Sequence, residues 1–128
     1  MVPLLFFKKI IYIFVKNFKN MREINVLTEL ESVINGTKDK MIVVDCYAPW
    51  CGPCRSLGEM FSTLTEDELV NCEIIKVNVD EADDFAYKYS IRSVPTLLYF
   101  RNGEFVNRTI GVLTKEDFLK KINDLMGE

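Results

Sequence analysis

A buried strand that leads almost directly into a helix is the feature that most constrains how this chain can fold. Residues 41–47 read MIVVDCY and are nearly all apolar, which is typical of a strand covered on both faces of its sheet. A helix is predicted from about Cys51 to Thr65, because apolar residues recur there at helical spacing: Leu57, Met60, Phe61 and Leu64. A strand of this kind needs helices on both sides of its sheet, so the pattern predicts an α/β domain.

The other apolar patterns give the order of the remaining elements. A first helix is predicted from a capping box formed by Thr28 and Glu31, and it ends near Gly36. The later elements are a strand at residues 73–79, a short helix at 82–89, strands at 96–100 and 104–110, and a helix capped by Thr114.

The last two strands are predicted to form a hairpin. They are separated by Arg101 and by Asn102-Gly103, a typical hairpin-turn sequence. The complete order is αβαβαββα. Strands separated by helices favour parallel pairing, and the hairpin adds an antiparallel edge. The sequence therefore predicts a central mixed β-sheet.

Length and composition exclude several classes of protein. A chain of 128 residues suffices for one domain with one core. It contains no histidine, which excludes His-based catalytic triads, His general bases and His-ligated metal sites. The 16 basic and 19 acidic residues give a net charge of −3, so the charge offers no argument for binding nucleic acid.

The positive charge is concentrated at the start of the chain, where residues 1–22 carry five basic residues and no acidic one. Lys8 and Lys9 split its apolar stretch into runs shorter than the roughly 20 apolar residues of a membrane-spanning helix. No signal-peptide cleavage pattern follows. We therefore expect residues 1–20 to be an extension and residues 21–128 to be the domain. The extension is open to three interpretations: a membrane-surface or targeting leader, an extension without function, or the product of a start codon upstream of Met21.

Two cysteines placed three residues apart carry the chemistry of the chain. Cys51 is predicted at the start of a helix and Cys54 one turn later on the same side. Unpaired backbone N–H groups and the helix dipole stabilise a thiolate at that position, and a thiolate is the nucleophile of thiol–disulfide exchange. Pro53 has no N–H to lose early in a helix and stiffens the loop. The pair is predicted to be redox-active, with a purely structural disulfide as the alternative.

A zinc site is the other use of this cysteine spacing. Zinc needs four ligands, and with no histidine only Cys46 and Cys72 remain. Cys46 lies within the predicted buried strand, so we expect no metal. Both cysteines are interpreted as small buried apolar residues, with a regulatory thiol at Cys72 as the alternative.

Taken together, these motifs resemble the thioredoxin family. The cysteine pair has the WCGPC form, lies in a strand–helix–strand pattern and is followed about forty residues later by the sequence V-P-T. The resemblance covers about residues 22–128 and implies the thioredoxin-like fold, with helices on both faces of the sheet. Residues 1–20 are not part of it. The matching residues are Val44-Asp45, Ala48-Pro49-Trp50-Cys51-Gly52-Pro53-Cys54, Lys76, Ile91-Arg92-Ser93-Val94-Pro95-Thr96, Asn102-Gly103 and Gly111.

The resemblance implies a thiol–disulfide oxidoreductase that reduces protein disulfides. Cys51 is the nucleophile that attacks the substrate disulfide, and Cys54 resolves the mixed disulfide, leaving a Cys51–Cys54 disulfide. The dipeptide Gly52-Pro53 resembles the reducing members of the family, so these two residues are expected to set the redox poise.

The resemblance also implies a set of substrate-binding residues. Trp50 offers substrates an apolar flank, and Pro95 is expected to follow a cis peptide bond that exposes the backbone of Val94 to an extended substrate chain. Gly111 would let that chain approach closely. The alternatives are a core tryptophan, a trans proline at a strand start and an ordinary turn glycine.

Asp45 is anomalous because an unpaired charge is costly to bury in an apolar strand. Lys76 interrupts another apolar strand, and adjacent strands could bring the two charges together. Burial should raise the pKa of Asp45 and Lys76 should lower it again. Together with the match to the family's buried aspartate, this predicts a general base that takes the proton of Cys54. A buried ion pair without a chemical role is the alternative.

The resemblance finally implies partners and a location. No bound cofactor is expected, and electrons should come from NADPH through a flavin-containing thioredoxin reductase. We expect a cytoplasmic monomer with disulfide-containing protein substrates and no nucleic-acid partner. An organellar or membrane-associated reductant, weakly attached through residues 1–20, is one alternative. A thioredoxin-fold module that binds extended chains without redox turnover is the other.

Overall fold

A four-stranded mixed sheet organises the domain in the computed structural model, which describes residues 3–5, 7, 8 and 21–127. The strands lie in the order β2-β1-β3-β4. Their bounds are β1 Met41–Tyr47, β2 Cys72–Asn78, β3 Thr96–Arg101 and β4 Glu104–Ile110. The helices between and around them are α1 Leu27–Gly36, α2 Gly52–Ser62, α3 Asp83–Lys88 and α4 Lys115–Met126. This confirms the predicted order αβαβαββα for residues 21–127.

Helices cover both faces of the sheet, as the continuous apolar run of β1 predicted. On one face, Ile42 and Val44 of β1 belong to a core cluster with Leu30 of α1 and Phe85 of α3. On the other face, a second cluster contains Met41 and Val43 of β1, Leu57 and Phe61 of α2, and Phe118 and Ile122 of α4. The alternating side chains of one strand therefore supply two separate cores.

The direction of β3 corrects the sequence prediction. Strands β1 and β2 are parallel, but β3 is antiparallel to β1 although a helix precedes it. The six-residue helix α3 spans only about 9 Å, whereas a return along the seven residues of β2 needs about 23 Å. The connection therefore stays at the edge where β2 ends, and Thr96 begins β3 opposite Cys46, near the end of β1.

The predicted capping box is also wrong, because α1 begins at Leu27, with Val26 as an N-cap that makes no side-chain hydrogen bond. Thr28 is consequently inside the helix, and Glu31 forms an ion pair with Lys88 of α3 instead. The cap of the last helix is confirmed, since the Thr114 hydroxyl accepts a hydrogen bond from the Asp117 backbone N–H at 3.1 Å.

The hairpin between β3 and β4 is confirmed. Asn102 and Gly103 have φ angles of 52° and 83°, as a type I′ turn requires at both central positions. A Cβ on Gly103 would also lie 3.2 Å from the side-chain oxygen of Asn35. Glycine is therefore favoured at position 103 for two reasons: the positive φ angle, and the lack of space for a Cβ beside Asn35.

A short segment beside the outer edge of β2 was not predicted from the sequence. Glu23 forms an isolated parallel bridge with Lys76, in which Ile24 N donates to Lys76 O and Lys76 N donates to Arg22 O, each at 2.9 Å. Three residues are too few to show an alternating pattern. The segment nevertheless covers the exposed edge of β2 and brings Glu23 beside Lys76.

None of the helices in the described part of the chain combines the length and the apolar character needed to cross a membrane.

Candidate active site

Cys51 and Cys54 form a disulfide at the N-terminus of α2, with their Cα atoms 5.3 Å apart. This separation is within the normal range for a disulfide. Cys51 is the N-cap residue, and its sulfur accepts a hydrogen bond from the Cys54 backbone N–H at 3.2 Å. The site thus supplies Sγ of Cys51 with a backbone donor at the positive end of a helix, which stabilises a thiolate after reduction.

The chain reaches this position because β1 ends just before α2 begins. Ala48 follows β1, and its carbonyl accepts a hydrogen bond from Cys51 N at 3.1 Å. Ala48 packs with both cysteines in a small buried cluster, and each cysteine is only 5% exposed. The first two residues of the helix are Gly52 and Pro53. The pair is therefore held by a tight turn and is almost entirely shielded from solvent.

The chain between α3 and β3 passes next to the disulfide. The peptide bond between Val94 and Pro95 is cis, and the Val94 carbonyl oxygen lies 3.7 Å from Sγ of Cys51. Gly111 follows β4 and donates its N–H to Pro95 O at 2.9 Å, with a φ angle of 93°. A Cβ at Gly111 would meet no atom within 4 Å, so its backbone angle is what favours glycine here.

Trp50 lies on the surface beside the disulfide and is 72% exposed. Its indole N–H donates to Oδ2 of Asp80 at 3.0 Å, which orients the ring although most of the side chain is exposed. Trp50 and Val94 border an apolar groove of about 240 Å³ that also includes Val79 and Ile91. Nothing in the sequence singles out Asp80, because it is one of two adjacent acids, Asp80 and Glu81, that carry no distinguishing pattern.

Asp45 lies within β1 and is 1% exposed, and its Oδ1 has no hydrogen-bond partner. The parallel register sets Asp45 opposite Lys76 of β2. Burial raises the pKa of Asp45 to about 7, and the positive charge of Lys76 lowers it in part. The carboxyl group consequently titrates near neutral pH.

Asp45 faces the helix that carries the cysteines. Val43, two residues earlier on the same face of β1, packs against Leu57 of α2. Cys54 is one turn before Leu57, and a solvent-open groove of about 430 Å³ is lined by both Cys54 and Lys76. Asp45 therefore lies on the face of the sheet that α2 covers, and its strand neighbour Lys76 lines the same groove as Cys54.

The other two cysteines are free and fully buried. Burial raises the pKa of Cys72 to about 12 and that of Cys46 still further above its usual range, so both remain thiols at neutral pH. In the part of the chain that the structure describes, no three acidic or cysteine side chains converge to hold a metal ion.

Comparison with known proteins identifies the family. The thioredoxin family model matches residues 23–124. The chain belongs to the thioredoxin family. Thioredoxin from Chlorobaculum thiosulfatiphilum is 42% identical over 89 residues, covering 70% of this chain and 82% of that one. Thioredoxin from Mycoplasmoides gallisepticum is 36% identical over 97 residues, covering 76% and 94%.

The fold is equally similar to that of solved thioredoxins. The X-ray structure of Fasciola hepatica thioredoxin superposes with a TM-score of 0.73 at 35% identity, covering 81% of this chain and 98% of that one. This likeness confirms the thioredoxin fold. With its disulfide-forming pair, the chain is a thiol–disulfide oxidoreductase, and it acts as a protein-disulfide reductase. Thioredoxins bind no cofactor of their own and generally work with a thioredoxin reductase and disulfide-containing proteins.

Proposed function

We propose that Cys51 attacks the disulfides of substrate proteins and that Cys54 releases the reduced product. The Cys51 thiolate breaks the substrate S–S bond, forms a mixed disulfide and displaces one substrate thiolate. The Cys54 thiolate then attacks Sγ of Cys51 and displaces the second. Two electrons pass to the substrate, and the Cys51–Cys54 disulfide remains. The observation that carries these roles is the position of Cys51 as N-cap of α2, facing the Val94 carbonyl.

The substrate is proposed to bind as an extended chain beside the disulfide. The Val94 carbonyl, next to the cis bond to Pro95, would pair with the substrate backbone as a neighbouring strand does. Trp50 and the apolar groove behind it would receive a side chain that flanks the substrate cysteine. Gly111 leaves open space on the other side of Pro95. Backbone pairing suits a reductant that accepts many sequences, because main-chain atoms are common to all of them.

Asp45 is proposed as the general base of the release step, with Lys76 adjusting its affinity for the proton. A thiol with an ordinary pKa of about 8.5 must lose its proton to attack. A carboxyl group with a pKa of about 7 is suited to take that proton at neutral pH. The groove shared by Cys54 and Lys76 gives the proton a path to solvent. Gly52 and Pro53 are proposed to favour the reducing direction by shaping the loop between the cysteines.

We propose that the electrons come from NADPH through a flavin-containing thioredoxin reductase and that the protein works in the cytoplasm as a monomer. A reductant needs a compartment in which its own disulfide is reduced again. The two buried free thiols are consistent with such a compartment.

An insulin-reduction assay with NADPH and thioredoxin reductase tests this function. We expect NADPH oxidation that depends on the protein, together with precipitation of the reduced insulin chains. A folded and previously reduced sample that shows neither would favour the alternative, a module that grips extended chains without turnover. A chain with Cys51 replaced by serine is the control for background reduction.

Residues 1–20 are proposed to lie outside the catalytic domain, since the family model begins at residue 23. A variant that starts at Met21 should therefore fold and reduce insulin at the same rate as the full chain. Circular dichroism and the insulin assay on both proteins make the comparison. If the shortened chain is soluble but inactive, or does not fold, the extension is an integral part of the domain.

A further inference from the structure

Three charged side chains lie side by side across the edge of the sheet. Asp45 of β1 is paired with Lys76 of β2, and Lys76 is paired on its other side with Glu23. Paired residues on adjacent strands point to the same face of a sheet. The Lys76 ammonium therefore has two carboxylates as neighbours, one buried and one exposed.

Tyr47 determines where the ammonium lies. It follows Asp45 by two residues, so both side chains point to the same face of β1. Nζ of Lys76 lies 4.4 Å from the centroid of the Tyr47 ring, within the range of a cation–π interaction. The ring thus holds the ammonium against the end of β1.

The Glu23 carboxylate is occupied by other donors. The Tyr47 hydroxyl donates a hydrogen bond to Oε1 of Glu23, and Nδ2 of Asn25 donates to Oε2 at 2.9 Å. Burial and the neighbouring Glu23 raise the pKa of Tyr47 above its usual range, so the hydroxyl keeps its proton. Among the described residues, Lys76 makes no ion pair within 4.0 Å with Glu23 or with Asp45, and its charge acts on the Asp45 carboxyl group from a longer distance.

We propose that Tyr47 is a positioning residue for the release step: its ring holds Lys76 beside Asp45, and its hydroxyl occupies the carboxylate that would otherwise draw Lys76 away. Tyr47 acts through Lys76 in this role. Its side chain also packs against the buried cluster of Ala48, Cys51 and Cys54, and Tyr47→Phe keeps the ring that makes this contact. The kinetic consequence rests on the proposed function of Asp45, whereas the effect on the Asp45 carboxyl group itself does not.

Other titratable groups also lie near this cluster and are kept unchanged in the test. They are Cys54, Arg55 and Glu59 of α2, Glu73 of β2, Glu81 after β2, Cys46 of β1, Arg108 of β4 and Arg22 at the start of the edge segment. Arg22 is engaged by Glu73 at 3.0 Å, and Glu81 accepts from Nδ2 of Asn25 at 2.9 Å. These contacts do not involve the Tyr47 hydroxyl, so Tyr47→Phe directly removes only the hydrogen bond to Oε1 of Glu23.

The test is a titration of the Asp45 carboxyl carbon by nuclear magnetic resonance in the reduced protein. In Tyr47→Phe the ring remains but Oε1 of Glu23 loses its donor, and Lys76 should shift toward Glu23. With its positive neighbour further away, Asp45 should hold its proton more tightly, and its pKa should rise by about half a unit, roughly a threefold change in proton affinity. The double variant Tyr47→Phe/Glu23→Gln removes the competing charge and should restore the wild-type pKa.

Tyr87→Phe is the matched control, because Tyr87 is 90% exposed and should leave the titration of Asp45 unchanged. An unchanged Asp45 pKa in Tyr47→Phe, or a raised pKa that Glu23→Gln does not reverse, would overturn the inference. The pH profile of single-turnover substrate release tests the kinetic consequence. If the carboxyl titration moves but the release profile does not, Tyr47 positions Lys76 as inferred and the general-base assignment of Asp45 fails.

Discussion

Replacing Cys51 with serine is expected to reduce turnover to background, whereas replacing Cys54 with serine should convert the protein into a trap. The first variant lacks the thiolate that attacks the substrate and should form no mixed disulfide. The second keeps the attacking thiolate at the helix N-terminus but cannot release the product. Non-reducing electrophoresis and intact mass measurement of each variant with a disulfide substrate distinguish the two results.

Cys72→Ala is the matched control for the cysteine variants. Cys72 is fully buried and its raised pKa of about 12 keeps it a thiol, so its loss should affect neither turnover nor trapping. Equal trapping by Cys51→Ser and Cys54→Ser would contradict the roles assigned to the two cysteines.

Replacing Asp45 with asparagine is expected to stabilise the protein at alkaline pH. The ordinary pKa of the carboxyl group is 3.8 and burial raises it to about 7 in the folded protein. Between these values the folded state binds more protons than the unfolded state, so the wild-type stability falls as the pH rises through this window. The difference of about three pKa units corresponds to an increase in the free energy of unfolding on the order of 4 kcal/mol for the variant over wild type at pH 8. At pH 4 the two proteins should be almost equally stable.

Urea unfolding of the oxidised proteins at pH 4, 6 and 8 measures this gain. Asp67→Asn is the matched control, because Asp67 is exposed and should leave the stability nearly unchanged at all three pH values. A constant difference between Asp45→Asn and wild type across the pH range would show that the buried carboxyl group does not titrate in this window.

The same asparagine variant is expected to slow the release of substrate. Without the carboxylate, the proton of Cys54 must pass to solvent in the adjoining groove. We therefore expect the rate of substrate release near pH 7 to fall about tenfold, which is less than the full contribution of a positioned general base. Formation of the mixed disulfide should be unaffected, since that step uses Cys51. Stopped-flow single-turnover measurements separate the two steps, and release kinetics identical to wild type at every pH would leave Asp45 with a structural role only.

The local elements of the fold could be predicted because short-range physics determines them. The apolar run of β1 requires cover on both faces, and the structure supplies it with two helices on each side. Asn102-Gly103 specifies its turn through backbone angles that few other residues adopt. The active cysteines could be placed from the sequence for the same reason, since the strand before them and the helix after them are both strong local patterns.

The start of the first helix is a place where a local sequence pattern gave the wrong prediction. Thr28 and Glu31 have the spacing of a capping box, but Glu31 pairs with Lys88, which is distant in the sequence. The direction of β3 was likewise decided by how far a short helix can carry the chain, a length that the apolar pattern does not contain.

The sequence by itself determined the αβαβαββα order, the cysteine pair at a helix N-terminus and the two charges that interrupt apolar strands. Only the tertiary structure decided which strands are neighbours, and thereby that Asp45 lies opposite Lys76 and Lys76 beside Glu23. The physical reason is that strand pairing joins residues far apart in the chain through backbone groups that every residue possesses. The partners of a strand are therefore selected by the packing of the whole sheet, and the environment that raises the pKa of Asp45 exists only once that sheet has formed.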